Sequence, residues 1–251
     1  MEETYRELVR RWKALRGRGD LRVREVACVN APRTLLCVEM GDAALPTIAL
    51  ASGVHGDERA GPWASLELAE SDLLDPRFAY RIWPCTNPSG YEAGTRDSAD
   101  GIDVNRTFGS GGRSPEARAI LTANRDRQFV LSLDLHEDCD ATGFYCYEYG
   151  GGDIGRAVVA ALEGEGFAID PLAETLDLAG PITEEHCLRE RGRIVPDASA
   201  ESALIGGLSY SMAMAKRAAR HALTFETPLA AEWDSRIAAH VAAVRAAIAA
   251  A

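Results

Sequence analysis

The chain has 251 residues, 47% of them hydrophobic, which is enough to bury a substantial core and fits one larger α/β domain (1–251) better than two small ones. A formal net charge of −11 argues against nucleic acid as a partner and is ordinary for a soluble enzyme of the cytoplasm, the expected location. No apolar stretch has the length to span a bilayer, the first residues lack a signal-peptide pattern, and six cysteines without a Cys-x-x-Cys pair read as reduced thiols.

Tyr5, Leu8, Val9, Trp12 and Leu15 recur at helical spacing and predict an edge helix over about 3–16, closed by Gly17 and Gly19. Strand-like runs at 22–29 and 34–40, parted by Asn30-Ala31-Pro32-Arg33, predict a hairpin. An apolar strand over 46–52 precedes a helix opened by Gly61-Pro62-Trp63, and a strand over 78–85 follows. Residues 86–113 read as a long, turn-rich loop of the kind that carries function. Ser114 then caps a helix with Pro115 at its first position. Strands at 129–135 and near 142–149, a helix over 153–163 and an irregular stretch over 164–207 come next. A helix near 209–220, a strand over 221–225 and an alanine-rich helix over about 229–250 complete the chain. Apolar strands alternating with helices imply a mixed, mostly parallel sheet covered on both faces, with ligands gathered at the carboxyl ends of its strands.

Chemistry-bearing residues fall at three such ends. Strand 46–52 runs into Gly53-Val54-His55-Gly56-Asp57-Glu58, where a histidine and a carboxylate three apart on a tight turn can address one ion. Strand 129–135 delivers His136, and strand 221–225 delivers Glu226 ahead of Thr227-Pro228. Between them, Arg96-Asp97-Ser98-Ala99-Asp100-Gly101-Ile102-Asp103-Val104-Asn105-Arg106 sets an Asp, an Asn and two Arg in a glycine-punctuated loop. A lone His-x-x-Glu is commonplace, and the company of the other three motifs is what gives it meaning. His186, His221 and His240 lack spaced partners and read as structural or surface residues.

In this order, His-x-x-Glu, Arg-x-x-x-x-Gly-x-Asp-x-Asn-Arg, Asp-x-His and Thr-x-Glu-Thr-Pro resemble the zinc metallocarboxypeptidase family M14, with its shorter succinylglutamate desuccinylase/aspartoacylase-like branch. The resemblance covers roughly residues 46–230 and takes in Ser114-Pro115-Glu116-Ala117-Arg118-Ala119, which is similar to the family's Pro-Glu-x-x-Ala helix start. It implies Zn²⁺ on His55, Glu58 and His136, with Asp103 holding the first histidine by its other ring nitrogen. Asp134 lies on the strand face of His136 and reads equally as a partner of that ring or as a structural carboxylate. Glu226 takes the place of the general base, the alternative being a buried ion pair with an arginine. By the same resemblance Asn105 and Arg106 bind a substrate carboxylate and Arg96 stabilises the oxyanion.

Two features depart from the pattern. Tyr210, 16 residues before Glu226, is only a rough match to the family's substrate-binding tyrosine, while Tyr145, Tyr147 and Tyr149 read as strand packing. The acidic run Glu137-Asp138-Cys139-Asp140 reads first as a solvated turn, with a preference for a basic substrate or a second metal as alternatives.

Three functions are compatible with these residues. One is a metallocarboxypeptidase acting on short peptides, including those of cell-wall fragments. Another is an N-acyl amino acid deacylase of the succinylglutamate desuccinylase/aspartoacylase kind, and the third is a catalytically silent carboxylate-binding protein. The intact Glu226 argues against the third, since a binding module needs no base opposite the metal. The compact spacing, 47 residues from Glu58 to Asn105 and 78 from Glu58 to His136, favours short peptides or acylated amino acids as partners. Oligomeric state is not encoded in any of these features.

Overall fold

The computed structural model describes residues 3–28, 34–171 and 187–251, so His186 lies outside the described residues. Nine strands form one sheet in the order β1 (Arg22–Ala27), β2 (Thr34–Met40), β4 (Ala79–Trp83), β3 (Thr47–Ser52), β5 (Phe129–Asp138), β9 (Ala219–Pro228), β6 (Tyr145–Tyr149), β8 (Arg193–Pro196) and β7 (Cys187–Glu190). Four pairings are parallel and four antiparallel. The sheet is therefore mixed, but its parallel character is concentrated in the central run β4-β3-β5-β9 rather than spread over most of it.

Alternation along the central strands builds two cores. Ile48, Leu50, Leu131, Leu133, Leu135, Leu223 and Phe225 pack on one face under α1 (Tyr5–Ala14), α2 (Ala60–Glu70), α5 (Ile154–Gly164) and α8 (Trp233–Ala250). Ala49, Ala51 and Ala222, with Tyr145, Tyr147 and Tyr149, turn to the other face under α4 (Pro115–Ala123) and α7 (Tyr210–Arg217). The same alternation sends Asp134 and His136 of β5, and Thr224 and Glu226 of β9, to the α4/α7 face. Their register is direct, Asp134 opposite Thr224 and His136 opposite Glu226.

Three segments differ from the sequence expectation. The 86–113 loop contains α3 (Pro88–Ala93), capped by Asn87, which accepts from Gly90 N at 3.0 Å, and closed by Gly94 in the left-handed region at φ 67°. At six residues it is too short to show an apolar period. The stretch 164–207 holds the β7–β8 hairpin and α6 (Ala198–Leu204), whose four- and seven-residue lengths likewise leave little pattern to read. Strands β5 and β9 run on to Asp138 and Pro228, since their pairing continues through the charged residues at their ends.

Candidate metal centre and cleft

His55 and Glu58 sit in the turn between β3 and α2, and one glycine makes that turn possible. A side chain at Gly56 would stand 1.9 Å from the backbone of Gly90, so only glycine lets the turn lie against α3. Gly56 N also donates to Arg96 O at 3.3 Å, which ties the turn to the arginine loop. His55 Nδ1 lies 2.5 Å from Glu58 Oε1, and His136 Nδ1 lies 2.8 Å from Glu58 Oε2. The donor atoms of the three residues fall within 4.8 Å of one another, and all three side chains are buried.

The opposite ring nitrogens face carboxylates. His136 Nε2 is 3.1 Å from Asp134 Oδ2. His55 Nε2 is 3.3 Å from Asp103 Oδ1, close enough for attraction but too poorly aligned to count as a hydrogen bond. The Asp134 carboxylate fixes the tautomer of His136, and Asp103 favours a proton on Nε2 of His55 by attraction, which leaves Nδ1 of both rings as the donor atom toward the shared point. Two imidazoles and one carboxylate, converging and buried, fit a divalent transition ion with open positions. Burial disfavours the ionised Glu58, but the two imidazoles outweigh it and hold the carboxyl well below the usual range. Burial likewise opposes charge on His136, yet the Glu58, Asp134 and Glu226 carboxylates raise its proton affinity well above the ordinary value.

Glu137, expected in a solvated turn, is instead buried, and its Oε2 accepts from Ala60 N at 2.7 Å, capping α2 in place of a side chain from that helix. Its Oε1 pairs with Arg236 of α8 at 2.5 Å, and its backbone N donates to Glu58 Oε2 at 3.1 Å. Only Cys139 and Asp140 of the run are exposed, and Asp138 accepts from Tyr145 at 2.7 Å.

Glu226 lines the cleft beside His136. Burial first, and then the Glu58, Asp138 and Asp134 carboxylates, push its carboxyl well above the usual range against the pull of His136. On the other rim, the Arg96 Nε and Nη2 donate to Asp103 Oδ2 at 3.2 and 3.0 Å, and Nη1 approaches His55 Nδ1 at 3.2 Å. Asp103 feels burial, which opposes ionisation, but His55, Arg96 and Arg106 hold it well below the usual carboxylate range. Arg106 follows Asn105 on a short 3-10 turn and lines the same cleft. A side chain at Gly207 would meet Arg106 O at 2.1 Å, so glycine is required where the chain before α7 closes on this turn.

Tyr210 is the predicted residue that the fold places elsewhere. Its ring is buried edge-on against Phe108, 5.4 Å between centroids, and its hydroxyl, near Ser132, has no partner of hydrogen-bonding geometry. Only its backbone reaches the site, donating to Asn105 Oδ1 at 2.9 Å and turning the Asn105 amide nitrogen toward His136. The phenol is corrected from a substrate contact to a core side chain. Conversely, Tyr147 and Tyr149 line the cleft rather than only packing the sheet, together with Glu201 and Ile205. Their signal was the strict alternation of β6, which puts Tyr145, Tyr147 and Tyr149 on the face of Glu226. Nothing in the sequence marked Glu201. The cleft has a volume of about 330 Å³ and gathers His55, Glu58, His136, Glu226, Arg96, Asn105 and Arg106 along its walls. His221 and His240 stay outside it, His221 against Gly151 O at 2.7 Å and His240 buried 3.1 Å from Thr227 Oγ1.

The chain is similar to known hydrolases. The succinylglutamate desuccinylase/aspartoacylase catalytic domain matches residues 44–153, the span that carries His55, Glu58, Asp103, Asn105, Arg106 and His136. Carboxypeptidase SOL1 of Arabidopsis thaliana is 30% identical over 111 residues, covering 36% of this chain, which spans only 23% of that protein. A candidate metallopeptidase from Shewanella amazonensis has the same fold at a TM-score of 0.78, with 23% identity over 98% of this chain and 92% of the other. The metallo-carboxypeptidase of Pseudomonas aeruginosa, solved with (2-guanidinoethylmercapto)succinic acid, aligns at a TM-score of 0.68 with 15% identity over 98% of this chain and 68% of its own. No helix among the described residues is long and apolar enough to cross a membrane.

Proposed function

We propose that this chain, which belongs to the family of M14 metallocarboxypeptidases and succinylglutamate desuccinylase/aspartoacylase-like hydrolases, is a zinc enzyme that cleaves an amide bond beside a free carboxylate, most simply at the end of a short peptide. The observation that carries the reading is the convergence of His55 Nδ1, Glu58 and His136 Nδ1 directly across the β5–β9 register from Glu226. Zinc held there supplies a Lewis acid for the scissile carbonyl and a water acidic enough to ionise near neutral pH. Glu226, unpaired with any arginine among the described residues, is placed to take a proton on its carboxylate and return it to the leaving nitrogen. Burial, and after it the neighbouring carboxylates, raise its proton affinity, and a divalent ion on the facing donors would lower it toward the range a base needs. Arg106, with Asn105 beside it, anchors the substrate carboxylate by its planar fork. Arg96, whose Nη1 already points at the ligand atoms, balances negative charge developing on the carbonyl oxygen.

A second reading, an N-acyl amino acid deacylase, is favoured by the family domain matched over residues 44–153. It uses the same groups on a smaller amide. Turnover by the zinc-loaded protein on dipeptides and N-acyl amino acids, each with its C-terminal amide counterpart, tests both. The free acids are expected to be cleaved and the amides not. Equal cleavage of acid and amide would remove Arg106 as anchor and sink both readings.

A further inference from the structure

We propose that Glu201 is the specificity residue of this cleft, selecting a substrate whose terminal residue carries a cationic side chain, an amine or a guanidinium. The inference rests on the hydrolase reading above and adds to it the class of side chain recognised.

Glu201 lines the cleft, is 7% exposed, and comes from α6, an element separate from the metal centre. Its two carboxylate oxygens share one side-chain donor, the Tyr149 hydroxyl, at 3.2 and 3.0 Å. An ionised carboxylate offers about four acceptor sites. A buried one left with a single neutral donor is undersatisfied by the standard of protein interiors. No arginine, lysine or histidine among the described residues stands within ion-pair distance of it. Burial, opposed by the Tyr149 hydroxyl and by the more distant Arg106 charge, pushes its carboxyl up to about 7. The group is thus buried at a cost that a bound cation would relieve.

The path from the metal centre to Glu201 follows β6. Tyr145 stands opposite Glu226, Tyr147 opposite Thr224 and Tyr149 opposite Ala222. At about 3.3 Å per residue, Tyr149 lies roughly 13 Å along the strand from the level of Glu226. Tyr147 and Ile205 wall this part of the cleft, and such surfaces suit the methylene stem of a lysine or arginine while its head reaches the acid. The charges also match in sequence. A substrate carboxylate on Arg106 cancels the one cation that acts on Glu201, and the substrate's own cation takes over that duty. A purely neutral side chain would leave the acid buried without compensation.

The test compares L-arginine with its neutral isostere L-citrulline as ligands of the zinc-loaded protein by titration calorimetry, and acetyl-alanyl-arginine with acetyl-alanyl-citrulline as substrates. The wild type is expected to favour the cationic member of each pair by about 10- to 100-fold, the span of a charge-assisted hydrogen bond. E201Q should lose at least about tenfold of that ratio. If Glu201 only steadied Arg106, both members would weaken together and the ratio would hold, which overturns the proposal. Should E201Q not fold, E201M carries the same expectation, and equal affinity of the wild type for arginine and citrulline overturns the proposal without a variant. Selective arginine binding with no hydrolysis of any substrate would sink the hydrolase reading and leave the role of Glu201 standing. Cleavage of both peptides at equal rates would do the reverse.

Discussion

The two ends of the cleft are built on opposite terms. At the metal end each of the three candidate ligands is held from more than one side: Glu58 meets both imidazoles and the Glu137 backbone, each imidazole has a carboxylate behind it, and Glu137 is held by α2 and by Arg236. At the far end Glu201 has one hydroxyl. The difference teaches that this site separates chemistry from selection. Donors that must hold an ion at fixed distances are held by several contacts at once, and the group that meets a variable side chain is left for the ligand to satisfy.

The largest effects should come from the ligands themselves. His55→Ala or His136→Ala is expected to leave dialysed protein with almost no zinc, against one ion per chain in the wild type. Stoichiometric zinc in both variants, measured by elemental analysis, would break the contrast at its strong end. Zinc uptake should also be proton-coupled. His136 in the metal-free protein holds its proton to higher pH than an ordinary histidine, so the ion must displace that proton, and affinity should fall as pH is lowered. Calorimetry in buffers of different ionisation heat should show proton release, and a pH-independent affinity would contradict it.

A smaller effect sharpens the idea that the metal end is held from behind. Arg236→Met leaves Glu137 buried without its partner and loosens the cap of α2 beside Glu58, so zinc affinity should weaken by about 10- to 100-fold in chelator competition. An unchanged affinity would show that the α8 contact serves stability alone. The smallest effect belongs to Tyr210→Phe. Its hydroxyl faces the core and lacks a well-formed partner, so kcat and KM should stay within about twofold. A large rise in KM would return the phenol to the cleft.

Much of the metal end was legible in the sequence because its residues sit at strand ends within short motifs, where an apolar run announces the strand and the polar residue stands out beyond it. His55, His136 and Glu226 are of this kind. Asp134 was half legible, since alternation put it on the face of His136 without saying what it touched. Glu137 was misread because an acidic run looks solvated in one dimension. Its partners, Ala60 and Arg236, lie 77 and 99 residues away. Glu201 gave no signal at all, for it sits on a short helix in a stretch without period, and its meaning comes only from Tyr149, 52 residues earlier. Tyr210 was misplaced because distance along the chain from Glu226 does not say which side of α7 faces the cleft.

The central claim is that Glu226 moves protons opposite a metal held by His55, Glu58 and His136. Its most direct test is kcat, zinc content and melting temperature on one zinc-loaded preparation of Glu226→Gln. The account predicts full zinc and an unchanged fold with kcat lowered by ~10² to 10⁴. Near-normal turnover together with a lowered melting temperature would contradict it and make Glu226 a structural carboxylate.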